Sequence, residues 1–306
     1  MNLLSSVYYQ YLKENLLKLN PDFENIDIEK RTFPDGEHYW RIENSQDISG
    51  KPAIYVCGTI NDEAILEAYN VACTLVRESC SSLHLVIPYF GYSTMERAVQ
   101  SGEIVTAKNI AQLFSSIPPS ANGNYIYMID LHSTNMQYYF GENVHPIHLT
   151  TEPMIYKIIS DIRSKEGEVV LASADTGCAK WIEKMSDHMG VEAAFIVKQR
   201  ISASETVVKA LKANVKGKNI IIFDDMIRSG GTIINAAKAY KAMGAKDVFV
   251  ICVHGILIHG AVEKLKDSGV IKKLYCSNTH PHAQNIHDDF VKVCDVSDII
   301  LKGLKI

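Results

Sequence analysis

Seven short runs of apolar residues, AIYVC (53–57), LHLVI (83–87), YIYMI (125–129), VVLAS (169–173), AAFIV (193–197), NIIIF (219–223) and DVFVIC (247–252), carry no regular polar alternation. A strand with one wet face alternates, whereas a strand covered on both faces does not. These runs therefore read as strands of parallel sheets buried beneath helices. The stretches between several of them supply the helices: DEAILEAYNVACTLVRES, GEIVTAKNIAQLFSSI, CAKWIEKMSDHMG and GTIINAAKAYKAMGA, the last stopping at Gly244 as helices often do. Strand and helix in alternation predict an α/β fold with helices on both faces of a mostly parallel sheet.

The alternation runs twice within 306 residues, roughly over 30–148 and again over 150–285, with no strong residue-level repeat between the halves. This predicts one domain over 1–149 and a second over 150–287, divided near TTEP (150–153), with a single larger sheet as the competing arrangement. The tail 288–306, which holds two apolar segments, is expected to return to the first half. A net charge of −4 gives no general pull toward nucleic acid or anionic membrane. No apolar run is long enough to span a bilayer. Seven scattered cysteines without any C-x-x-C spacing argue against a disulfide framework or a zinc site, and fit a reducing cytoplasm.

The chemistry concentrates at FDDMIRSGGT (223–232), directly after NIIIF. In doubly wound sheets, ligands collect where strand ends lead into helix N-termini. Ser229, Gly230, Gly231 and Thr232 open the next helix, and glycines there let backbone N–H groups wrap a phosphate, aided by the helix dipole. Asp224 and Asp225 would repel that phosphate, so they must face hydroxyl groups or a hard cation such as magnesium. A ribose 5-phosphate has both ends. An isolated Asp-Asp or Gly-Gly is usually only a strand end or a turn, but strand, acid pair, glycine turn and helix in this order are a more specific signal. Neither a Walker loop nor a dinucleotide fingerprint is present.

Further motifs follow in order: FPDGE (33–37), PYFGYSTMERAVQSGEIVTAKNIA (88–111), DLH (130–132), SADTG (173–177), KQR (198–200) and VHG (253–255). Together with FDDMIRSGGT, the set resembles the ribose-phosphate pyrophosphokinase (phosphoribosyl-diphosphate synthetase) family over nearly the whole chain. The resemblance implies two tandem phosphoribosyltransferase-like, Rossmann-like domains. It also implies diphosphoryl transfer from ATP to the anomeric hydroxyl of ribose 5-phosphate, giving phosphoribosyl diphosphate and AMP.

By the same resemblance, Lys198 and Arg200 are the catalytic cations. The polar stretch holding Ser202, Ser204 and Thr206 is a flap over ATP. His132 and Asp175 are the magnesium-site residues, and Asp224, Asp225, Ser229, Gly230, Gly231 and Thr232 bind ribose 5-phosphate. Phe33, Asp35 and Glu37 reach the ATP site of a neighbouring subunit, so a homo-oligomer is implied.

The chain departs from the commonest members at Thr94, Met95 and Arg228. MER, RSGGT, YYFGEN (138–143) and Trp181 resemble the plant-type class II members instead. That class implies activity without obligatory inorganic phosphate, weak nucleotide feedback and tolerance of other donors. Two other readings stand beside the active synthetase: a catalytically silent homologue that regulates a synthetase, and a phosphoribosyltransferase that uses the finished product.

Overall fold

The computed structural model describes residues 1–175, 177–200, 206–211 and 214–305, with the side chains of 197–200 and 206–211 outside that description. The chain divides into two compact units, 1–150 with 296–306 and 151–295. Each has its own sheet and its own apolar core.

In the first unit, β1 (Asn2–Ser5), β2 (Glu24–Asn25), β5 (Ala53–Val56), β6 (Leu83–Ile87), β7 (Asn124–Ile129) and β8 (Val144–Leu149) form a parallel sheet in the order β2-β1-β5-β6-β7-β8. β5 and β6 are buried along their whole length, as their unbroken apolar runs require. The helices of this unit are α1 (Gln10–Leu19), α2 (Asp62–Arg77), α3 (Thr106–Ser115) and the C-terminal α9 (Ser297–Gly303). The start of α2 is fixed by Asn61, whose side chain accepts the Ala64 N–H at 2.8 Å. α3 begins later than the sequence pattern suggests, because Glu103 turns back to accept the Val99 and Gln100 N–H groups. Outside the sheet, β3 (Ile28–Thr32) and β4 (His38–Ile42) form a separate antiparallel hairpin.

In the second unit, β9 (Val169–Ser173), β10 (Glu192–Arg200), β11 (Thr206–Leu211), β12 (Asn219–Ile227), β13 (Val248–Gly255), β14 (Lys273–Ser277) and β15 (Val291–Cys294) run in the order β11-β10-β9-β12-β13-β14-β15. Every pairing is parallel except β10 with β11. Its helices are α4 (Glu152–Glu166), α5 (Ala179–Met189), α6 (Gly231–Ala242), α7 (Ala261–Asp267) and α8 (Pro281–Gln284). The chain leaves β9 toward β10 on one side, then returns through β12 toward β13 on the other. The sheet's topological switch point thus lies between β9 and β12.

The expected return of the whole tail 288–306 is corrected. β15 completes the second sheet against β14, and the chain joins the first unit only from Val296 onward. The two apolar segments of that tail therefore serve two different cores. Among the described residues, no helix is long and apolar enough to cross a membrane. All seven cysteines are free.

Candidate active site

β9 ends at Ser173, which pairs with Phe223, whereas β12 continues to Ile227 along β13. Asp224 and Asp225 therefore lie within the strand rather than beyond its last residue, which refines the sequence expectation. They occupy the part of β12 that has outrun β9 on one side. Asp175, two residues past β9, adds its negative charge to the neighbourhood of Asp224. Asp224 Oδ1 accepts the Asp225 N–H at 3.0 Å. Burial, with the charges of Asp225 and Asp175, pushes the Asp224 carboxyl well above the usual carboxylate range.

Cys178, at the entry to α5, brings its Sγ to 3.9 Å from Asp224 Oδ1. Burial first, then the two aspartates, push this thiol up to about 12, so it stays protonated and offers a weak S–H donor. The Cys178, Asp224 and Asp225 ligand atoms lie within 4.8 Å of one another. α5 is keyed in place by Trp181, whose ring stacks on Phe223 at 3.6 Å and 14°. Because Phe223 precedes Asp224, that stack couples the position of α5 to the start of the acid pair.

Beyond β12, Arg228 and Ser229 are exposed, and Gly230 takes a left-handed φ of 74° as the N-cap of α6. Only glycine adopts this conformation freely. A β-carbon on Gly230 would also stand 2.8 Å from Leu265 of α7. No side chain caps α6 and no acidic residue occupies its first turn. Its leading N–H groups and the positive end of its dipole are thus available to an anion.

In the first unit, DLH follows β7. Asp130 takes a φ of 37°, its N–H bonds to Leu149 O at 3.0 Å, and His148 Nε2 accepts the Leu131 N–H at 3.3 Å. The tautomer of His148 is thereby set, and His132 is carried on the exposed side of the turn. FPDGE closes the β3–β4 hairpin. Phe33 N–H bonds to Glu37 O at 2.8 Å, Glu37 N–H to Asp35 Oδ1 at 3.1 Å, and Gly36 supplies a φ of 94°. The Phe33 ring is left 48% exposed at the tip. Thr94 and Met95 form a short 3-10 turn after the FGY segment, with Met95 exposed.

The structure therefore groups Asp175, Asp224, Asp225, Ser229, Gly230, Gly231 and Thr232 about one switch point. It places His132 and the Phe33, Asp35 and Glu37 loop separately in the first unit. The backbones of Lys198 and Arg200 pair with Val208 and Thr206 across the β10–β11 hairpin. Their side chains, and Ser202 and Ser204 of the expected flap, lie outside the described residues. Sequence reading assigned a role to neither Cys178 nor His148. Both act beside a motif from another element, and local spacing gives no sign of that.

An acid pair inside the long strand at the switch point, followed by an uncapped glycine turn, defines a phosphoribosyltransferase-type fold, here used twice in one chain. Residues 1–117 match the family model of the N-terminal domain of ribose phosphate pyrophosphokinase, and residues 143–290 match that of the phosphoribosyl transferase domain. The chain belongs to the ribose-phosphate pyrophosphokinase family. It is 30% identical to the ribose-phosphate pyrophosphokinase of Pyrococcus abyssi, covering 84% of this chain and 85% of that one. Identity to the protein of the same name from Methanothermobacter thermautotrophicus is 32%, over 79% and 81% of the two chains. The phosphoribosylpyrophosphate synthetase from Mycobacterium smegmatis shares the fold, with a TM-score of 0.85 at 24% identity, covering 98% and 96% of the two chains.

Proposed function

We propose that this chain is a ribose-phosphate diphosphokinase that moves the diphosphoryl group of ATP onto the anomeric hydroxyl of ribose 5-phosphate, giving phosphoribosyl diphosphate and AMP. The observation that carries the reading is the pairing, at one switch point, of crowded carboxylates on β12 with an uncapped, glycine-opened helix N-terminus. The sugar's phosphate suits the 229–232 turn, and its vicinal hydroxyls suit Asp224 and Asp225. Attack at the β-phosphorus asks the protein for in-line positioning and for positive charge around the phosphoryl oxygens. Lys198 and Arg200 are assigned that charge, one as a point cation and the other as a planar fork.

The oxygen-rich, negatively crowded neighbourhood of Asp224 fits a hard divalent cation, and magnesium is the cofactor we assign. Asp175, beside the acid pair, would hold one such ion in the second unit, and His132 would hold another in the first. When bound, magnesium neutralises triphosphate charge. Phe33, Asp35 and Glu37 are assigned to adenine, reaching a neighbouring subunit of a homo-oligomer. The exposed Phe33 ring at a hairpin tip outside the main sheet supports that reading. Trp181 on Phe223, with the RSGGT turn, supports a place near the plant-type class II members and hence activity without obligatory inorganic phosphate. We place the enzyme in the cytoplasm.

The test is direct. With magnesium, ATP and ribose 5-phosphate, the protein should release AMP and phosphoribosyl diphosphate in equal amounts, with or without added phosphate. Lys198→Ala should lower kcat by at least ~100-fold while substrate binding is largely kept. Free phosphate released without AMP would overturn the assignment.

A further inference from the structure

The turn at the head of α6 is not built by its own residues alone. Leu257 and Ile258, between β13 and α7, donate their N–H groups to Ile227 O at 2.9 Å and Arg228 O at 3.0 Å. Leu265 of α7, 1% exposed, packs where a β-carbon on Gly230 would lie. These contacts lock α7 against the turn, so the residue before Leu265 is delivered to a fixed place. That residue is Lys264. The point a β-carbon would occupy on Gly231 is open, and its nearest neighbours are Lys264 Nζ at 3.8 Å and Ser229 Oγ at 4.0 Å.

Among the described residues, the Lys264 ammonium makes no ion pair or side-chain hydrogen bond. It is held near the positive end of an uncapped helix, where a cation is repelled. An anion lying between ammonium and helix reverses the sign of that interaction, since both then attract it. The gap beside Gly231 is bordered by an ammonium, a hydroxyl and the leading amides of α6, which together suit the three terminal oxygens of a phosphate monoester.

We propose that Lys264 is a substrate-binding and specificity residue that contacts the 5-phosphate of ribose 5-phosphate and sets the preference for the phosphorylated sugar over the free pentose. This rests on the reading of the 229–232 turn as the phosphate site. Lys264 lies on an exposed helix face, so its replacement does not disturb the core.

Calorimetric titration of wild type, Lys264→Gln, Lys264→Arg and Asp224→Asn with ribose 5-phosphate and with ribose tests it, alongside KM for both substrates. Lys264→Gln should weaken ribose 5-phosphate binding and raise its KM about tenfold. It should also flatten the dependence of that KM on salt, because a screened charge has been removed. The KM for ATP should move less than ~twofold. Lys264→Arg should hold ribose 5-phosphate within about threefold of wild type. If Lys264→Gln binds ribose 5-phosphate as tightly as wild type while Asp224→Asn loses it, Lys264 is a bystander and the reading of the turn survives. An equal loss for ribose and ribose 5-phosphate in Lys264→Gln also overturns the proposal. A wild type that binds ribose as well as ribose 5-phosphate overturns both.

Discussion

A carboxylate meant for sugar hydroxyls or a cation interacts most strongly when water solvates it poorly, and Asp224 is held that way. Burial, then Asp225 and Asp175, oppose its charge and push it up to about 8. The unfolded chain offers an ordinary aspartate near ~4. As pH rises through that window the unfolded state sheds its proton first, so the native state binds more protons and stability falls with pH. The ligand-free protein should thus lose stability from about pH 4 to about pH 8, and Asp224→Asn should flatten that slope. Thermal melting is the measurement. The variant should melt roughly 2–4 °C above wild type at pH 8 and no higher than wild type at pH 4, while its binding of ribose 5-phosphate is lost. A variant less stable than wild type at pH 8 would show that the Asp224 charge is already compensated without ligand.

At the level of elements, the β3–β4 hairpin gains no ladder from either sheet, so something else must aim it. Lys30 of β3 pairs with Glu63 of α2, and stands 3.7 Å from Glu67 Oε2, too far for a hydrogen bond. Glu67 is 2% exposed and donates nothing, but its other oxygen accepts the Tyr55 hydroxyl at 3.1 Å. Burial raises the Glu67 carboxyl, with Lys30 pulling the other way. For Lys30, burial opposes the charge, but Glu63 and Glu67 outweigh it and the ammonium is raised.

Lys30→Met should therefore cost about 2 kcal/mol at neutral pH, short of the full loss of a buried pair because Lys30 remains partly exposed. The deficit should shrink as acid protonates Glu67, and urea titrations at pH 7 and pH 5 would show it. With the hairpin released, KM for ATP should rise more than KM for ribose 5-phosphate. None of this was visible in the sequence. HYWRI (38–42) is half-exposed and charged, and its partner strand IEKRT is more polar still, so neither has the apolar run that marked β5, β6, β9, β12 and β13. β8 was hidden by Pro146 and two histidines, and β1, NLLS, by polar residues at both ends that leave only two apolar positions. The acid pair and glycine turn were legible because they are contiguous. Cys178, His148 and Lys264 were not, since each belongs to an element that periodicity alone cannot bring beside the motif it serves. Lys264 in AVEKLKD reads as one charge on an ordinary solvated helix.

For the molecule as a whole, the chain passes from the first unit to the second near residue 150 and back near residue 296, so the first unit is finished only when the last residues arrive. Their docking is specific. Lys305 N–H donates to the Tyr127 hydroxyl at 3.1 Å, that hydroxyl lies 3.0 Å from His84 Nδ1, and His84 Nε2 lies 2.9 Å from Ser82 Oγ. Burial pushes His84 down to about 4, so it is neutral near pH 7. The neutral ring carries one N–H, so it donates to one of these two hydroxyls and accepts from the other. The C-terminus is thus tied to the middle of the first sheet by one continuous hydrogen-bond chain. Gly303 lets α9 close on β8, because a β-carbon there would collide with Leu149 Cδ2, and Leu149 is only 8% exposed. Gly303→Val should force that contact apart at a cost of about 1–3 kcal/mol. Native-state hydrogen exchange should then speed up in β7, β8 and α1 and stay unchanged in β9, β12 and β13, since the second unit has its own core. Uniform acceleration across both sheets would instead mean that the two units open as one cooperative body.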